Sequence, residues 1–183
     1  SLFGTHTAKA SSADLAWSTN DYANFQVYAV RDKVETPNSK NAYFLLTSTT
    51  NGLMASNEIT SSLFYDVYDN EKWNFAVTVK PRKNPNVSFV SSSADDYTVE
   101  FRGFNIVGDA INEEFAVTGT VSNTIGSRYM TSPKRLYVGA HRTDFTGAVL
   151  KSSNVRVSGV RSWLIPLSRD EILSHARDAT NYG

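Results

Sequence analysis

Carboxylates, imidazoles and aromatic rings are the side chains here with the types and spacings that chemistry needs. Glu113 and Glu114 are adjacent. In a strand they face opposite sides and cannot flank one glycosidic bond as a hydrolytic pair does. Glu100 alternates with Val99 and Phe101 and is expected to point to solvent. The 3 histidines are His6, His141 and His175, and no two are spaced as metal ligands on one element. His141 stands beside Arg142 and Asp144 in a segment that reads as a loop, where it could touch a partner. His175 falls near the end of a helix-like segment, where a solvated or dipole-facing role is expected. The chain has no cysteine, so thiolate ligands, disulfides and cysteine nucleophiles are excluded. No nucleophile-elbow motif is present.

Oxygen donors concentrate in two places. One is Asp66-Val67-Tyr68-Asp69-Asn70 and the other Asp95-Asp96. Calcium takes several oxygen ligands from loops, so Asp66, Asp69, Asp95 and Asp96 are the candidate metal ligands and calcium is the one cofactor considered. Neither run matches a D-x-D-x-D-G loop, and turn or strand-end duties also account for them. Sugars need an aromatic platform with amide and carboxylate partners. Tyr65, Tyr68, Trp17 and Tyr22 lie near Asp or Asn and supply that chemistry. The candidate ligand-binding residues are therefore Tyr65, Tyr68, His141, Arg142 and Asp144. Trp73 and Trp163 fall on apolar strand faces and are expected in the core. Asn86-Val87-Ser88 has the form of a glycosylation sequon, a match near chance level.

Charge narrows the partners. Eighteen basic and 18 acidic residues cancel to a net charge of zero, which argues against a nucleic-acid binder. No run of about 18 apolar residues exists, so no membrane span is expected. The opening Ser1-Leu2-Phe3-Gly4 lacks Met and a charged leader, and we expect the chain to be an excerpt of a longer protein.

The elements that must position these residues are mostly strands. Aromatic residues make up 12% of the chain, and a period of two dominates. Trp73 to Lys80 alternates large apolar with smaller or polar residues, and Tyr97 to Arg102 and Phe115 to Val121 do the same. Asn24 to Val30, Ala42 to Thr47, Arg135 to Ala140 and Val155 to Trp163 complete a set of at least seven strands. Asn51-Gly52 marks a tight turn, Pro81 to Asp96 a long connection, and Gly103 a bend or bulge inside a strand. One helix is signalled by Ser168-Arg169-Asp170-Glu171, a capping box flanked by the staple pair Leu167 and Ile172. It should run from Arg169 to about Ala176. With no internal repeat, residues 1–183 read as a single all-β domain.

The order of these pieces resembles the concanavalin-A-like, laminin-G-like jelly-roll family. Trp73-Asn74-Phe75-Ala76-Val77-Thr78-Val79 is similar to its tryptophan-led strand. Tyr97 to Gly103 is similar to the following hairpin strand, although Arg102 stands where the family has the Asp of a D-G turn. Leu136-Tyr137-Val138-Gly139 and Phe145-Thr146-Gly147 resemble a further strand pair. Val155 to Trp163, then Leu167 to Ile172, resembles the closing strand and capped helix. The resemblance implies a jelly-roll β-sandwich with one short C-terminal helix, lacking its first one or two strands. The family's glucanases carry an E-x-D-x-x-E strand that this chain lacks, so no enzyme is expected. Tyr137 to Gly147 is also similar to virion proteins of tailed phages. That implies a structural or adhesive virion module whose partners are other subunits or flanking segments. The alternative is a secreted or cell-surface lectin, binding glycans with or without calcium.

Overall fold

The computed structural model describes residues 1–7, 22–32, 39–55, 57–82, 96–142, 149–152, 155–178 and 180. Asp95, Asp144, Trp17, the sequon and most of the connection after Pro81 lie outside them.

Two antiparallel sheets face each other. The larger contains β1 (Phe3–Thr7), β2 (Phe25–Arg31), β3 (Ala42–Thr47), β4 (Glu58–Thr60) and β8 (Lys134–Val138), in the order β4-β3-β2-β1-β8. The smaller contains β5 (Trp73–Pro81), β6 (Tyr97–Val107) and β7 (Ala110–Val121), in chain order. A separate two-stranded ribbon pairs β9 (His141–Arg142) with β10 (Val149–Lys151). Helix α1 (Asn123–Thr131) carries the chain from one sheet to the other, and α2 (Arg169–Arg177) follows near the C-terminus. This is an all-β sandwich with two short helices.

Alternation explains the packing. Phe25 and Val27 on β2, Phe44 and Leu46 on β3, Val99 and Phe101 on β6, and Phe115 on β7 are all buried in one cluster between the sheets. Phe44 is its hub, with the rings of Phe75, Trp73, Phe115 and Phe64 at 4.7, 4.8, 5.5 and 5.9 Å. Trp73 thus does the core duty expected of it. Gly103 lies in mid-strand opposite Phe115, and a Cβ there would stand 2.3 Å from the Phe115 ring. Its role is to make room, not to bend the strand. The irregularity in β6 falls at Asn105/Ile106 instead. The β6–β7 hairpin turns through Gly108-Asp109, with Gly108 at φ 62°, a left-handed position that suits glycine.

The other face of β6 is covered by α2. Phe104 and Ile106 pack with Ile172, Leu173 and Ala176 of the helix in a second cluster. Ser168 and Glu171 make the reciprocal capping box, at 3.3 Å and 2.7 Å. Glu100 therefore does not point to free solvent. It accepts from Arg102 at 3.0 Å, and Arg102 also donates to Glu114 at 2.8 Å. Glu114 in turn accepts two hydrogen bonds from Arg169 at the first turn of α2, at 2.8 and 2.6 Å. Those guanidinium contacts hold the Glu114 carboxyl below the usual carboxylate range.

Two further expectations fail. Val155 to Trp163 enters neither helix nor strand, and Trp163 is 40% exposed. Alternation is necessary for a buried strand but does not supply a ladder partner. α1 was not signalled, because Asn123-Thr-Ile-Gly-Ser-Arg-Tyr-Met-Thr is rich in weak helix formers and has no acid in its first turn. Tertiary contacts hold it. Tyr129 is buried beside Phe25, and Gly126 lies so close to Tyr97 that a Cβ would stand 2.2 Å from that ring.

Candidate functional site

The candidate residues fall in two places. The first is the segment between β4 and β5. Phe64 bridges Ala42, with hydrogen bonds of 2.9 and 3.0 Å in both directions. The Tyr68 amide donates to the Lys40 carbonyl at 3.0 Å, and the Asp69 amide to the Asp66 carbonyl at 2.8 Å. Asp66 and Asn70 take left-handed backbone conformations, φ 54° and 64°, which Asp and Asn tolerate better than most residues. The Asp66 amide donates to the Asn41 side chain at 3.1 Å. These bonds pin the loop and leave Tyr65 69% exposed beside the exposed Asp66. Tyr68 is engaged by the Arg31 guanidinium, 3.9 Å above its ring.

The three candidate calcium ligands among the described residues, Asp66, Asp69 and Asp96, do not form a common set, and Asp95 lies outside the described residues. The Asp69 carboxylate is 2.7 Å from Lys40 Nζ. Asp66 and Asp69 precede the start of β5, whereas Asp96 lies beside its end, where Pro81 faces Tyr97. The nine residues of β5 place these ends about 25 Å apart. Asp96 itself stands 3.9 Å from the Arg82 guanidinium. Among the described residues, no group of three or more His, Cys, Asp or Glu is placed to hold a metal ion.

The second place is the outer face of the larger sheet under the β9–β10 ribbon. His141 does not lie in a loop, as the sequence led us to expect. It begins β9 and is only 7% exposed. The register β1–β2 and β1–β8 puts Tyr28 and Tyr137 on this face. The His141 ring stacks on Tyr137 at 5.4 Å and 14°, and its Nδ1 lies 3.0 Å from the Tyr28 hydroxyl. His6 on β1 is equally buried and acts on the same ring. Burial, aided by His6, the Ser1 ammonium and Lys151, depresses His141 to a pKa of about 4. Burial likewise pushes the Tyr28 phenol up to about 12 and raises Tyr137. Near neutral pH these three groups are therefore uncharged, as a packed cluster requires. Arg142 follows on β9, where its backbone pairs with Val149; its side chain and Asp144 are outside the described residues.

Sequence reasoning missed Tyr28, Tyr137 and His6. The available signal was two tyrosines at outward strand positions, where some cover is needed for large rings. It also missed the Arg102–Glu114–Arg169 chain, which depends on α2 folding back over β6. Glu113, on the opposite face from Glu114, is raised by burial and by Glu71, and the Asn105 amide donates to Glu71 at 2.6 Å. The two glutamates thus work on separate faces. His175 sits against Trp163 at 4.9 Å, with its Nδ1 3.0 Å from Arg161. None of the described helices is long and apolar enough to cross a membrane, which says nothing of strands.

No protein-family model matches the chain, and neither the curated proteins nor the solved structures contain a significant match to it.

Proposed function

We propose that this chain is a non-catalytic structural or adhesive module, a concanavalin-A-like jelly-roll sandwich completed by a neighbouring subunit or flanking segment of a virion protein. One observation carries the reading. Val155, Val157, Val160, Trp163, Leu164 and Ile165 form a run of exposed apolar side chains, with Leu164 fully exposed and Ile165 67% exposed. Single exposed apolar residues are ordinary, but six within eleven positions mark a surface that binds something. The run keeps strand alternation over its first part without joining a ladder. β5 pairs only with β6 among the described strands, so no described strand occupies its other edge. Open edges and unpaired strand-like segments are where strand addition occurs. The virion setting rests on the resemblance of Tyr137 to Gly147 and gives the molecule a place among other subunits. Sedimentation velocity across a range of concentrations tests the reading. Self-association is expected, and a stable monomer at high concentration contradicts it.

The Tyr65 loop favours a second reading, a lectin of secreted or cell-surface origin. An exposed aromatic ring beside a carboxylate on a pinned loop is the chemistry that stacks on and hydrogen-bonds a sugar. A glycan array with and without a calcium chelator tests it, and no binding in either condition ends it.

A further inference from the structure

The inner face of the smaller sheet ends in a row of three register partners. Trp73 on β5 stands opposite Asn105 on β6, and Asn105 stands opposite Glu113 on β7. Alternation continues the face of Val99, Phe101 and Gly103 to Asn105, and that of Phe115 back to Glu113. The aromatic core thus gives way at this end to an amide and a carboxylate. Asn105 is only 1% exposed. Its Nδ2 donates to Glu71 Oε2 at 2.6 Å and to the Lys72 carbonyl at 3.4 Å, both just ahead of β5. A carboxylate and a carbonyl can only accept, so the amide nitrogen, not the oxygen, must face them. With Nδ2 turned to the β5 side, Oδ1 is turned toward β7, the strand that carries Glu113. Oδ1 is buried and has no hydrogen-bond partner among the described residues. Glu113 feels the Glu71 charge, which together with burial raises its carboxyl above the usual range. Among the described residues neither glutamate enters an ion pair.

We propose that Glu71, Glu113 and the Asn105 Oδ1 form a binding site for a hard divalent cation of the calcium type. All three donors are oxygens, the chemistry that selects such cations over softer metals. A charge of +2 balances the two carboxylates and gives the buried Oδ1 the partner it lacks. Glu71 is exposed, so the site opens to solvent, and water completes the six to eight ligands that calcium takes. With two charged ligands, the dissociation constant should be about 10⁻⁴–10⁻³ M. The three residues come from the segment before β5, from β6 and from β7, and none belongs to the Asp66–Asn70 or Asp95-Asp96 runs. The inference needs neither the scaffold nor the sugar reading.

Terbium(III), which replaces calcium in oxygen sites, tests it on the intact chain. Trp73 is the register partner of Asn105 and serves as the antenna. Terbium emission excited through tryptophan should saturate and be displaced by calcium. Calcium at about 10 mM should raise the folding equilibrium constant about 10–100-fold in urea unfolding. Glu113→Gln and Glu71→Gln keep the side-chain shape and should each weaken calcium binding by tenfold or more, whereas Asp66→Asn should leave it unchanged. Should Glu113→Gln fail to fold, the exposed Glu71→Gln decides alone. Emission that does not saturate, with no calcium effect on unfolding, overturns the proposal. So does binding that survives both glutamine variants, or that Asp66→Asn abolishes. Carbon-13 NMR gives a further outcome: a Glu113 carboxyl still protonated at pH 7 in saturating calcium means that a proton, not a metal, serves Oδ1, and refutes the site.

Discussion

Replacing Gly103 by alanine adds one methyl group, and its cost follows from a single distance. The new Cβ would lie 2.3 Å from Phe115 Cε1 and 2.9 Å from Cζ, closer than carbon atoms approach. The ring cannot simply swing aside. Phe44 stacks on it at 5.5 Å, Phe101 meets its edge at 5.0 Å, and Phe64 stands at 5.8 Å. Relief must come from a shift of β6 against β7 or from an off-rotamer ring, and such overpacking costs about 1–3 kcal/mol. For a domain of this size, that lowers the melting temperature by roughly 2–4 °C per kcal/mol. Urea unfolding followed by tryptophan fluorescence measures it, because Trp73 reports on the same cluster. Pairing the change with Phe115→Leu frees the space, so the double variant should be more stable than the sum of the single costs allows. If Gly103→Ala unfolds within about 0.5 kcal/mol of wild type, the glycine does not make room for Phe115, and the cross-strand placement is wrong.

Three other outcomes follow. His141 has a lower pKa folded than unfolded, so the unfolded chain binds the proton first. Stability should fall as pH drops from about 6.5 toward 4, by roughly 3 kcal/mol at most, and His141→Phe should flatten that part of a melting-temperature profile. Ser168→Ala removes the side-chain half of the α2 capping box and should cost about 1 kcal/mol, read by urea unfolding, with exchange rising first in residues 169–177. Tyr65→Ala should leave stability within about 0.5 kcal/mol of wild type, because the ring is mostly exposed. On the lectin reading it should also abolish array binding, and retained binding would move the sugar site elsewhere.

How much was legible depended on whether the deciding interaction was local. β3, β5 and β6 appeared where period-two alternation placed them, because burial between two sheets imposes that period directly. α2 appeared because its cap is written in four consecutive residues. α1 was hidden, since its stability comes from Tyr129 and Gly126 meeting β1 and β6. Val155 to Trp163 was misread for the converse reason, as it has the pattern of a strand without the neighbour. The Tyr65, Asp66, Tyr68 and Asp69 loop was legible as a unit, because those residues are contiguous. The imidazole cluster was not. His6, Tyr28, Tyr137 and His141 meet only through the pairing of β8 with β1 and the fold-back of the ribbon.

The central claim is that this sandwich presents a β5 edge that no described strand occupies, and an apolar strip outside the described ladders, for a neighbour to complete. Residue-resolved hydrogen exchange at low and high protein concentration tests it most directly. The account predicts rapid exchange in dilute solution at the outward-facing amides of 73–81 and throughout 155–165. Both should become protected together as the chain assembles, while the β6–β7 amides stay slow in both conditions. Fast exchange at 155–165 that persists unchanged at high concentration, with β5 protected from the outset, would contradict it.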